Sequence, residues 1–170
     1  MYRVLALLLF GIILPAAVSP PPANIDRFGW WDAPPVLHVC PSYEGQPSHV
    51  RRAVRKIRRH GGDIRRVEWG RCDGELHPNE IWLAGEYYGM NQWAAGETQF
   101  AVVGSSVAAA IVFVRAEYAG GPTLEHELLH AMGLAFDHTL EPGHIMHPNN
   151  YYGGPSWSGV REALARERPE

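Results

Sequence analysis

Five of the nine histidines in this 170-residue chain fall between His126 and His147. Two of them stand in the run His126-Glu127-Leu128-Leu129-His130. On an α-helix, side chains at i and i+4 lie one turn apart on the same face. His126 and His130 can then aim imidazole nitrogens at one metal ion, with Glu127 beside that face, placed to hold a water rather than the ion. This chemistry requires the stretch to be helical, which limits the folds open to the chain. Pro122 suits the first helical position and Gly133 the stop, predicting a helix over 122–132. Gly133 falls where the chain must turn back if a later residue is to reach the same ion, and glycine accepts the left-handed conformation such a turn needs. Asp137 and His138 follow, and either can supply a third ligand.

The rest of the chain reads as strands around few helices. With 46% hydrophobic and 19% charged residues, it can bury a core, so wholesale disorder is excluded. A net charge of −3 argues against a nucleic-acid partner, which usually meets a basic excess. Strands are expected over 35–39, 64–69, 80–88, 98–104 and 108–117; the last is the most apolar and is expected at the centre of the sheet. A first helix, capped by Ser48, should run to His60 and stop at Gly61-Gly62. Its apolar residues Val50, Ala53, Val54 and Ile57 follow helical spacing. A last helix is expected over 158–168, with Val160 and Leu164 on one face. Loops fill 89–96 and 134–155. The order implies an α+β (α/β-like) domain in one sheet.

Residues 1–18 read as a secretory signal: Arg3, an apolar run over 4–14, then the small residues Ala16 and Ala17. An uncleaved N-terminal anchor is the alternative, although the run is short for a membrane span. Residues 19–29 read as a Pro-rich spacer, leaving 30–170 as one domain. Export permits a disulfide, and the two cysteines, Cys40 and Cys72, allow one pairing. The bridge would add about 3–4 kcal/mol in the chain-entropy view; two buried free thiols are the alternative.

The run HELLHAMGLAFDHTLEPGHIMHP resembles the metzincin clan of zinc metallopeptidases, and within it the matrix-metalloprotease-like (matrixin-type) group. The matching residues are His126, Glu127, His130, Gly133, His138 and Met146. The resemblance implies a twisted mixed sheet with a backing helix, an active-site helix and a C-terminal helix. It also implies one catalytic Zn2+ held by His126, His130 and His138, with Glu127 as the general base and Met146 in an apolar turn beneath the imidazoles. Two departures stand out. The clan's third His would fall at Phe136, so His138 arrives two residues late and Asp137 is its rival. Pro148 stands where some relatives carry a metal-reaching Tyr; Tyr151 and Tyr152 are nearby without an assigned role. No propeptide cysteine motif is present, and no calcium site is readable. The substrate implied is a polypeptide bound extended along the strand near 100–104, with 149–157 walling a pocket.

Other features carry less. Nine of the 15 Lys and Arg lie between Arg51 and Arg71, which suits an anionic surface or, more simply, a solvated helix face. His38, His49, His60 and His77 read as surface or satisfied structural residues. His144 and His147 flank the Met-turn and read the same way, with a supporting role behind the metal ligands as the alternative. The six Trp read as core and cleft wall. The leading expectation is an exported, monomeric zinc endopeptidase. The alternatives are a non-catalytic zinc-stabilised binding module and a cell-wall peptide hydrolase using the same site.

Overall fold

The computed structural model describes residues 25–70, 72, 74–134, 143–147 and 156–168. The strands are β1 (Val36–Val39), β2 (Arg66–Trp69), β3 (Glu80–Ala84), β4 (Gly96–Val103) and β5 (Ser106–Val114). They form one five-stranded sheet in the order β2-β1-β3-β5-β4. The pairs β2–β1, β1–β3 and β3–β5 are parallel. β4 turns back on β5 as an antiparallel hairpin and forms one edge. Among the described residues three α-helices accompany the sheet: α1 (Pro47–Arg59), α2 (Pro122–Ala131) and the short α3 (Val160–Leu164). This is the α+β architecture expected from the element order.

The alternation of side chains explains which face is covered. Leu37, Val39, Ile81, Leu83, Ala110 and Val112 share one face of the sheet and are buried with residues of α1 and α2. α1 contributes the expected stripe, Val50, Ala53, Val54 and Ile57. Val160, Ala163 and Leu164 close the core from α3.

Several boundaries differ from expectation. α1 begins at Pro47 with Gln46 as its cap, so Ser48 lies inside the first turn; its hydroxyl meets Gln46 Oε1 at 3.3 Å. Proline's fixed φ pre-organises the first helical position, and this outweighs the capping tendency of serine. β3 ends at Ala84 rather than at 88, because Gly85 leaves the ladder to meet Ser42. β5 is shifted to Ser106–Val114 and lies second from the edge; the middle strand is β3. The hairpin accounts for the shift, since Ser106 and Val107 pair with Val103 and Val102 of β4. Ile64 is buried but precedes its strand, which begins at Arg66. The last helix ends at Leu164.

The expected spacer over 19–29 is corrected at its far end. Ile25 is a core residue, and Phe28 N–H donates to Gly133 O (2.9 Å). Arg27 Nη1 donates to Leu164 O, and Trp30 Nε1 to Arg166 O (2.8 Å). Asp26 and Asp32 pair with Arg166 and Arg168 at 3.6 and 2.9 Å. The domain therefore includes 25–29; residues 1–24 lie outside the described part.

Cys40, at the end of β1, is bridged to Cys72, with a Cα–Cα distance of 5.4 Å. The bond closes the stretch that carries α1 and β2. Replacing both cysteines by serine should lower unfolding free energy by about 3–4 kcal/mol, read from urea denaturation; an unchanged midpoint would show the bridge does not constrain the unfolded chain.

Candidate active site

α2 is buried along its length from Thr123 to Ala131 although it carries Glu125, His126, Glu127 and His130. Buried polar groups are costly without hydrogen-bond partners. Each of these four has one. Glu125 Oε2 is 2.8 Å from Lys56 Nζ of α1. His126 Nδ1 is 2.7 Å from Ile145 O, and His130 Nδ1 is 3.1 Å from Leu134 O. Glu127 Oε2 accepts from the Thr98 hydroxyl at 2.7 Å.

The two carbonyl contacts determine what the imidazoles can do. An Nδ1–H donated to a backbone carbonyl leaves Nε2 as the ring's electron-pair donor. The two Nε2 atoms stand 3.0 Å apart, with the rings nearly perpendicular and their centroids 4.5 Å apart. Two lone pairs at that distance repel unless positive charge lies between them. Nitrogens on a tetrahedral zinc, with bonds of ~2.0–2.1 Å, are separated by roughly 3.3 Å. His126 and His130 could therefore hold one such ion. Among the described residues no group of three metal-donor side chains converges. The two expected third donors, Asp137 and His138, lie outside the described residues, as do Phe136, Pro148, Tyr151 and Tyr152.

The carbonyls that orient the imidazoles come from two turns. Gly133 has φ +91°, as the sequence suggested, and this reversal returns Leu134 O to His130. A Cβ at Gly133 would meet Gly29 O at 2.0 Å, so the turn is also closed against the N-terminal segment. The second turn is 143–147, where Met146 is buried in the core. His144, fully buried, builds this turn: its Nδ1 accepts from Met146 N–H (3.0 Å) and its Nε2 meets Ser158 O (2.7 Å). Ile145 and Ser156 are joined by a backbone bond of 2.8 Å. His144 thus holds the peptide whose carbonyl orients His126. A supporting role behind the ligands was the alternative for His144 in the sequence, and its bond to Met146 N–H gives that role a geometry.

Three further contributors were not singled out. Thr98 carries no one-dimensional signal, being one polar residue in Glu97-Thr98-Gln99. Trp31 donates its indole N–H to Ala131 O (2.9 Å), completing the end of α2. Lys56, read as part of a basic surface, serves Glu125 and also sits 4.5 Å above the Trp157 ring, which stacks on His60. Much of the basic cluster is similarly engaged: Arg52 donates to Gly120 O and Arg58 to Ile64 O. Exposed positions remain at Arg51, Arg55, Arg59 and Arg65. His38 is buried, with ring nitrogens 3.4 and 3.3 Å from Glu68 and Glu80.

Burial pushes the Glu127 carboxyl from 4.5 up to about 7; the Thr98 hydrogen bond opposes the rise and the Glu97 charge adds to it. A carboxyl in this range can exchange a proton near neutrality.

No protein-family model matches the chain, and no curated protein matches it in sequence.

The raised carboxyl has a stability consequence in the zinc-free protein. Below pH 4.5 the group is neutral both folded and unfolded. Between 4.5 and 7 the unfolded chain ionises first, so folding loses stability as pH rises; above 7 the whole loss, about 3 kcal/mol, is present. Glu127→Gln does not titrate. Relative to the parent it should gain up to about 3 kcal/mol between pH 4 and pH 8, measured by urea unfolding in chelator; a difference that stays constant with pH would refute the shift.

Proposed function

We propose that this protein is an exported zinc-dependent endopeptidase of metzincin type. The observation that carries the reading is the pair of Nε2 atoms 3.0 Å apart, each ring oriented by a backbone carbonyl on its Nδ1. A pair of histidines placed by chance on a helix has no reason to converge in this way. Glu127, next in sequence, separates a catalytic site from a structural one, since a closed zinc site needs no buried carboxyl beside it.

His126, His130 and a donor from 135–142, His138 before Asp137, would hold the ion. Zinc there would act as a Lewis acid on the scissile carbonyl and lower the pKa of water towards neutrality. Glu127 takes the proton from the attacking water and returns it to the leaving amine, so no covalent enzyme intermediate is needed. The edge strand β4 supports the substrate assignment. Among the described residues its outer side takes no strand in the sheet order, so an extended polypeptide can add there through backbone hydrogen bonds while alternate side chains enter pockets. Trp157, expected in the wall of such a pocket, packs between Lys56 and His60 at the end of α1. The disulfide agrees with an oxidising compartment, and no described helix is long and apolar enough to cross a membrane.

Glu127→Gln should retain zinc by elemental analysis yet lose about 10²–10⁴-fold in peptidase kcat on a casein-type substrate. Unchanged activity would remove the mechanism, and loss of zinc would make the carboxyl a ligand. His138→Ala should deplete zinc more than Asp137→Ala; the reverse order would assign the third position to Asp137.

A further inference from the structure

The inner face of β4 presents Gly96, Thr98 and Phe100 towards α2, because Gly96, Thr98 and Phe100 pair with Val114, Val112 and Ala110 on the covered face of the sheet. Thr98 is buried there. Its hydroxyl lies 2.7 Å from Glu127 Oε2 and 3.0 Å from Glu127 backbone O. One hydroxyl therefore meets both ends of the same residue, the carboxyl and the main chain. Gly96 provides the remaining clearance. A Cβ there would stand 2.6 Å from Glu127 Cγ and 2.9 Å from Oε1, closer than real Cβ atoms approach. The carboxyl thus occupies the volume that a side chain at residue 96 would fill.

We infer that Thr98 is a positioning residue for Glu127: its hydroxyl fixes Oε2 and thereby aims Oε1, with Gly96 leaving the room. The kinetic consequence rests on the endopeptidase reading, whereas the contact does not. A glutamate has three side-chain rotors, and holding one orientation costs rotamer entropy. Proton transfer demands placement within a few tenths of an ångström, and a misplacement of 1 Å can cost about 100-fold in rate. Thr98 meets this demand from a strand held by a regular ladder, since the irregularity in β4 comes later, between Ala101 and Val102. The strand proposed to align the substrate backbone then also aligns the base. Substrate and carboxyl share one rigid frame.

Thr98→Val keeps the shape and β-branching of the side chain and removes the hydroxyl; Thr98→Ser keeps the hydroxyl. In the zinc-loaded full chain, Thr98→Val should lower kcat about 10–100-fold, with KM and bound zinc unchanged. Thr98→Ser should recover most of the loss. Full kcat in Thr98→Val, or equal losses in both variants, would overturn the inference. A second measurement needs no activity. In zinc-free protein, a double-mutant cycle combining Thr98→Val with Glu127→Ala should be non-additive by about tenfold in the unfolding equilibrium constant. Additive effects would overturn the contact. A parent protein that binds zinc but cleaves no peptide would defeat the endopeptidase reading alone, because the cycle still decides whether Thr98 holds Glu127.

Discussion

A polar helix can be buried only if its charged and polar groups find partners that do not move. That requirement organises this molecule around α2. Four of its side chains reach four different parts of the fold: Lys56 on α1, Thr98 on β4, Leu134 in the following turn, and Ile145 in the turn held by His144. Removing any one would leave a buried polar group exposed to its full desolvation cost, typically ~1–3 kcal/mol. The surrounding elements are therefore constrained by the helix as much as they support it. The N-terminal segment is constrained too, since Phe28 and Trp31 bond to Gly133 and Ala131.

The helices and the disulfide were legible because their signals are local. Val50, Ala53, Val54 and Ile57 carry a helical period, Pro122 and Gly133 mark the ends of α2, and two cysteines permit one bridge. The α+β class followed from the order of these elements. Strand order was not legible. The apolar run in β5 is what a central strand would show, yet the hairpin with β4 moves β5 towards the edge, and nothing in composition distinguishes the two positions. Ser48 looked like a cap because serine often is one; the adjacent proline decided the start. Ile25 looked like spacer because a single isoleucine among polar and proline residues has no period to reveal its burial.

The candidate site shows the same division. His126, Glu127 and His130 were readable because a fixed spacing on one helix brings them together. The two imidazoles do converge, and the left-handed Gly133 does reverse the chain. Thr98 and Trp31 were not readable, because each acts through a contact far away in sequence. A hydroxyl on a strand becomes informative only when the strand is known to lie against the helix. The third donor is a different case. Asp137 and His138 differ by one position in a stretch without periodicity, so spacing alone could not choose between them, and both lie outside the described residues.

The ties of Asp26, Arg27, Trp30 and Asp32 to residues 164–168 bring the two ends of the described chain side by side. Neighbouring ends make the backbone a nearly closed ring, which suits circular permutation. A short linker from 168 to 25, with new termini opened at the exposed Gly104 between β4 and β5, would preserve the described contacts of α2. The order in which the elements emerge during synthesis would change, while the frame around the two imidazoles would not.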